Sequence, residues 1–207
     1  LNGLPVNDIG QELKVVIRQN GRWDNALTVS RPRIARGNEL DYRYDDNLVF
    51  TGGNQFRNFD IRSLVYQSER IGAIRYDNGN HVYLLPDPPR TYKPYINEED
   101  LNGKFFIRND DHANDMDREA DYAWVHFELP YPVLLTSGGV HVAGDMTLWQ
   151  MDESTKMVFN RDRKVYELAL LLKQGYYNYQ YVLSAPSQKA ADEALIEGSH
   201  WETENRY

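Results

Sequence analysis

The sequence predicts an all-β protein, organised as two consecutive β-sandwich domains over residues 1–114 and 115–207. Three observations carry this. Residues 140–183 open VHVAGDMTLW and close LALLLKQGYYNYQYVL, two alternating strands framing a segment whose last strand starts at a Gly turn. Short strand patterns with turn signals roughly every 8–15 residues recur along the chain, as in antiparallel sandwiches rather than βαβ units. Helical patterns are weak: SQKAADEAL, residues 187–195, is the best and is short.

Taken in order, ELKVVIRQ ends at the Asn20-Gly21 turn, NALTVS stops at Pro32, and NELDYRYD alternates. LVFTGG follows and is broken by Gly52 and Gly53. FRNFDIRSLVY reads as a strand or a strand with a bend. Its apolar set Phe56, Phe59 and Ile61 does not keep period two, so a bulge is expected near Asn58. RIGAIRYD and HVYLLP form a hairpin around Asn78-Gly79. PDPPRTYKPY cannot continue a central strand and is either a linker or an edge crossing within one domain. FFIR is a further short strand. The polar, acidic run NDDHANDMDREAD is the composition break that places the domain boundary, and YAWVHFEL begins the second sandwich. In the last strand Tyr177, Tyr179, Tyr181 and Leu183 fall on one face, expected on the core. Tyr176, Asn178, Gln180 and Val182 fall on the other, expected toward water or a partner.

A net charge of −8 with no long basic cluster argues against nucleic acid and anionic lipid as partners. The absence of cysteine excludes disulfides, thiolate metal sites and a Cys nucleophile. No apolar run reaches the roughly 18 residues of a membrane span, so direct membrane insertion is not expected. Residues 1–10 lack a signal-peptide pattern, and the chain reads as a mature or trimmed form.

No catalytic motif, cofactor loop or metal set emerges. There is no G-x-S-x-G, P-loop or G-x-G-x-x-G, so no enzyme and no cofactor is expected. Asp115, Asp117 and Glu119 are a fragment of a calcium loop without its Gly or bidentate Glu, and read as linker solvation. The His residues are scattered, at 81, 112, 126, 141 and 200. His126 and His141 could meet across adjacent strands, but two imidazoles without a third ligand do not make a zinc site. In GGNQFRNFDIRSL, Gly52 and Gly53 permit a tight approach, Asn54 and Phe56 follow, and Asp60 can pair with Arg57 or Arg62. A buried Arg–Asp clamp at a corner is the expected role. IEGSHWETEN, with Glu197, Glu202 and Glu204, reads as a second corner.

Two resemblances add to this. Val142, Gly144, Asp145, Met146 and Trp149, then Gly175, Tyr177, Tyr179, Gln180 and Tyr181, resemble the signature of the glycogen-binding carbohydrate modules. That likeness implies an immunoglobulin-like, early-set sandwich, with Trp149 as a sugar-stacking ring. The family's sugar-contacting Lys is Gln180 here, its second Trp is missing from LSAPSQKAADEAL, and Trp201 comes later. Across nearly the whole chain, QNGRWDNAL, GGNQFRNFDIRSL, DLNG, EADYAWVHFEL, LLKQGYYNYQYV and IEGSHWETEN fall in the order of the type IX secretion system plug protein family. Family members carry a further sandwich before QNGRWDNAL and a further strand after ETENRY. The resemblance implies a periplasmic, non-enzymatic protein, peripheral to the outer membrane, that seals the periplasmic opening of the large β-barrel translocon. A carbohydrate-binding module for α-glucan, or a structural spacer in a cell-envelope protein, are the other expectations. Expected contact residues for partner or glycan are Trp149, Tyr176, Asn178, Gln180 and Trp201.

Overall fold

The structure, a computed structural model, describes residues 6–8, 12–36, 39–42, 48–111 and 120–207. Among these, strands dominate. The first four are short: β1 (Val15–Ile17), β2 (Leu27–Val29), β3 (Ile34–Arg36) and β4 (Glu39–Asp41). They pair only with each other, β1 with β2 and β3 with β4. Then come β5 (Arg57–Asp60), β6 (Ile71–Tyr76), β7 (Asn80–Leu84), β8 (Phe105–Ile107) and β9 (Tyr122–Pro130). The last are β10 (Gly139–Ala143), β11 (Val158–Asn160), β12 (Val165–Lys173) and β13 (Gly175–Ser184).

Two sheets form the sandwich. One runs β10-β13-β5, with β8 also on β13; the other is five-stranded, in the order β11-β12-β9-β7-β6. All pairings are antiparallel except β7 with β9. Phe59, Tyr177, Tyr179, Tyr181, Val140 and Val142 meet Val82, Val125, Phe127 and Leu129 in one shared core. Phe59 stacks on Tyr177 at 5.1 Å and meets Phe127 edge-on at 5.6 Å. The inward tyrosine face of the last strand is therefore as expected.

The expected division at 114/115 is not a division between cores. β5 lies beside β13 and β7 beside β9, so strands from both sides of that point complete the same two sheets. A three- to six-residue strand from the first half buries only one face and reaches stability by pairing with the longer strands of the second. The composition break marks a connection inside one sandwich. Asp115, Asp117 and Glu119, with His112, lie outside the described residues.

Local expectations fare unevenly. The hairpin turns at Asn78-Gly79, both with positive φ, 50° and 143°. No bulge occurs at Asn58: the β5–β13 register is unbroken from Arg57 to Asp60, and the irregularity lies between Ile71 and Ala73. Phe56 simply points to the opposite side from Phe59, against Trp149. LVFTGG forms no strand, because side chains take its backbone groups. Gln19 Nε2 donates to Thr51 O at 2.8 Å and Asn205 Nδ2 to Gly52 O at 2.7 Å. The weak helical pattern at 187–195, too short for more than a turn or two, gives a single turn at Ala194–Glu197. Asp192 instead exchanges backbone bonds with Leu183, at 2.8 and 2.9 Å, which a helix could not make. The proline-rich run is an edge crossing within the sandwich, tied by Asp87 N to Glu128 O and Arg90 N to Ile196 O. No helix among the described residues is long and apolar enough to cross a membrane.

Candidate interaction surface

The residues expected to contact a partner are mostly covered. Trp149 is 9% exposed. Its ring meets Phe56 edge-on at 5.9 Å and lies 5.7 Å from the Arg22 guanidinium. Gly103, at φ +79°, approaches so closely that a Cβ there would sit 2.6 Å from the indole. Trp149 is a core residue and offers no flat face for a sugar ring; this corrects its expected role. The second face of β13 is covered too. Asn178 and Gln180 are 0% and 2% exposed. The Leu101 N–H donates to Asn178 Oδ1, and Gln180 Nε2 donates to Glu193 Oε2 at 2.8 Å. Tyr176 is half-buried, stacked on Phe106 at 5.7 Å. Only Trp201, at 88%, stands fully in solvent.

Glu193, the partner of Gln180, is held in turn by the QNGRWDNAL motif. Arg22, buried, donates to both Asp24 oxygens at 3.1 and 2.7 Å and to Glu193 Oε2 at 2.5 Å. Asp24 in turn accepts from the Ala191 N–H at 3.0 Å. An early segment is thereby clamped onto residues 191–193, which follow the last strand.

The corner motif works as a buried clamp, with different acids from those expected. Arg57 does not pair with Asp60. Its Nε donates to both oxygens of Glu197 at 3.0 and 3.1 Å, Nη1 to Asp87 at 3.1 Å and Nη2 to Pro88 O at 2.9 Å. Arg70 also donates to Asp87, and Arg90 Nε to Glu197 Oε2 at 2.8 Å. The hydroxyls of Tyr179 and Tyr181 both donate to Asp87 Oδ2, at 2.6 and 2.7 Å, which gives these fully buried phenols their partners. The Tyr181 N–H donates to Glu197 Oε1 at 2.9 Å, so a carboxylate takes the place of a neighbouring strand. Burial opposes ionisation of Glu197, yet Arg57, Arg90 and this amide outweigh it and hold the carboxyl below its usual range. Asp60 pairs with Arg62 instead, half-exposed, with Nη2 at 2.5 Å from Oδ2. Gly52 and Asn54 serve the same corner: a Cβ on Gly52 would lie 2.1 Å from His200 O, and Asn54 Nδ2 donates to Glu197 O at 2.6 Å. Gly53 takes φ +70° and its carbonyl accepts from the His200 N–H at 2.7 Å.

The surface that is open lies elsewhere, on the outer face of the five-stranded sheet. Alternation along β9 sends Val125, Phe127 and Leu129 inward and leaves Tyr122, Trp124 and His126 outward. The register sets Leu171 beside Trp124 and Ala169 beside His126 on one flank. On the other it sets His81 beside Trp124 and Tyr83 beside His126, with Arg75 beyond His81. Tyr122, Trp124 and Leu171 are 56%, 41% and 51% exposed. Tyr83 stacks on His126 at 4.2 Å, and Arg75 lies 5.3 Å from the Tyr83 ring. His81 Nε2 reaches Asp77 O at 3.2 Å and its Nδ1 reaches His126 Nε2 at 2.9 Å. The carbonyl can only accept, so the hydrogen-bond network assigns His81 Nδ1 as acceptor of the His126 proton. Burial, with His81 alongside, holds the His126 imidazole below its usual value. His126 thus meets His81 rather than His141, which bonds Thr155 Oγ1 at 3.0 Å. The result is an aromatic, partly apolar face, cross-braced by stacking and cross-strand contacts. The signal for it was present in the sequence as the outward set of YAWVHFEL.

No family model matches the chain, and no curated protein matches it. The chain is similar to a hypothetical protein from Parabacteroides merdae ATCC 43184, whose crystal structure aligns with a TM-score of 0.89 at 36% identity. The likeness covers 99% of this chain and 51% of that one, so the chain spans about half the length of this relative. The all-β sandwich is thus a shared fold over essentially the whole sequence.

Proposed function

We propose that the chain is a non-enzymatic protein–protein module that plugs the periplasmic opening of a type IX secretion translocon, docking through the outer face of its five-stranded sheet. The observation that carries this is the contiguous row of Leu171, Trp124 and His81, flanked by Tyr122, His126 and Tyr83, on one face of the five-stranded sheet. Aromatic side chains of this kind supply the anchors of protein interfaces. The buried groups Arg22, Arg57, Asp87 and Glu197 are engaged in clamps that tie distant segments of the chain to each other, which suits a part that must resist displacement without changing shape. The family resemblance of the six ordered motifs supports the choice of partner. The α-glucan alternative loses its platform with Trp149 in the core.

The test is recovery of the full-length protein, tagged in its native cells, after detergent extraction of outer membranes. A very large β-barrel protein is expected to co-purify. Trp124→Ser combined with Leu171→Ser is expected to abolish recovery while shifting stability by less than about 1 kcal/mol, since both are surface positions. Absence of the barrel in every detergent tried would sink the proposal. Full recovery with the double variant would move the docking surface elsewhere.

A further inference from the structure

A cleft elsewhere on the molecule shares no lining residue with the aromatic face. It has a volume of about 450 Å³, runs along β5 and is closed by the proline-rich crossing. Its walls bring together Arg57, Arg70, Arg90 and Lys93, against Glu69 and Glu98, which are exposed. Four cations around one cleft stand out in a chain of net charge −8.

The arginines are not equally spent. Arg57 places Nε, Nη1 and Nη2 on Glu197, Asp87 and Pro88 O, and is the buried floor. Among the described residues Arg70 bonds through Nη2, to Asp87, and Arg90 through Nε to Glu197 and Nη2 to Gln55 O. Each therefore keeps guanidinium donors beyond those bonds. Lys93 makes no ion pair among the described residues. Asp87 and Glu197, the acids that anchor these arginines, are 0% and 1% exposed, so a ligand meets the cations first. Ile96, Pro88 and Pro94 add apolar wall.

We propose that this cleft binds an organic carboxylate, with Arg70, Arg90 and Lys93 holding the anionic group and the Ile96–proline wall taking its carbon body. Pre-oriented guanidinium donors match the two oxygens of a carboxylate. The rim glutamates disfavour an anion that concentrates two negative charges on one group, such as inorganic phosphate, over separate carboxylates. The carboxylate could belong to a free small acid or to an acidic side chain of a polypeptide, and the two are separable.

Calorimetric and NMR titrations of the full chain with sodium succinate, with a Ser/Glu pentapeptide, and with sodium chloride as the reference, all at constant ionic strength, test it. Saturable binding of succinate or peptide, with a Kd on the order of millimolar or tighter, is expected. Tighter binding of the peptide identifies a polypeptide source, and equal or weaker binding a free acid. Lys93→Gln, which leaves the buried clamp intact, is expected to weaken binding about tenfold, and Lys93→Arg to retain it. No saturation by either carboxylate, a response matched by chloride, or binding unchanged in Lys93→Gln would each overturn the proposal.

Discussion

Replacing Arg57 by methionine is expected to cost about 3–5 kcal/mol of stability, because it leaves Asp87 and Glu197 buried without their shared cation. For a chain of this length that corresponds to a fall in melting temperature of about 6–20 °C. Thermal and urea unfolding at pH 7 check it. A loss under about 1 kcal/mol would show that the clamp is dispensable. Glu197 also makes the effect pH-dependent. Its folded pKa is lowered, so ionised Glu197 contributes stability above the ordinary carboxylate value of about 4.3, and that contribution is lost as pH falls through the lower folded value. The deficit of Glu197→Gln relative to the parent is therefore expected to be full at neutral pH and to shrink in acid. A deficit that stays constant down to pH 3 would contradict the assignment.

The second large effect concerns Trp149. Trp149→Ala is expected to cost about 3–5 kcal/mol, as for other large-to-small substitutions in a core. The ring is held by Phe56, Arg22 and the close approach of Gly103, and Leu148 and Trp149 both take positive φ, 52° and 56°, to deliver it there. The decisive comparison is unfolding alongside glucan titration. A variant of parental stability that has lost glucan binding would restore Trp149 as a stacking ring; a destabilised variant in a parent that binds no glucan supports the core role.

Much of the sandwich is legible in the sequence because its strongest signals are local. Asn78-Gly79 supplies positive φ at a tight hairpin whatever surrounds it. The alternation of YAWVHFEL and of GYYNYQYVL determines which residues of β9 and β13 share a face. The Arg22 clamp was not legible, since its partners at 191 and 193 are separated from it by most of the chain. Asp87 was equally hidden. A carboxylate between prolines looks like linker until the hydroxyls of two distant tyrosines are found on it.

Alternation states that a strand has two faces and leaves open what covers each. Asn178 and Gln180 are polar and were expected outside. They are buried because the loop at Leu101 gives Asn178 Oδ1 a partner and the segment at Glu193 gives Gln180 Nε2 one. Tyr122 and Trp124 keep their exposure because strand pairing alone borders them among the described residues. The boundary at 114/115 shows the same gap, because composition marks a loop but the partner of a strand is a long-range matter of which apolar faces meet. By itself the sequence determined an all-β chain, its principal strands, its hairpin and its inward tyrosines. The tertiary structure decided that one sandwich uses both halves, that Trp149 is core and that the five-stranded sheet carries the open face, because each depends on non-local contacts that no local periodicity encodes.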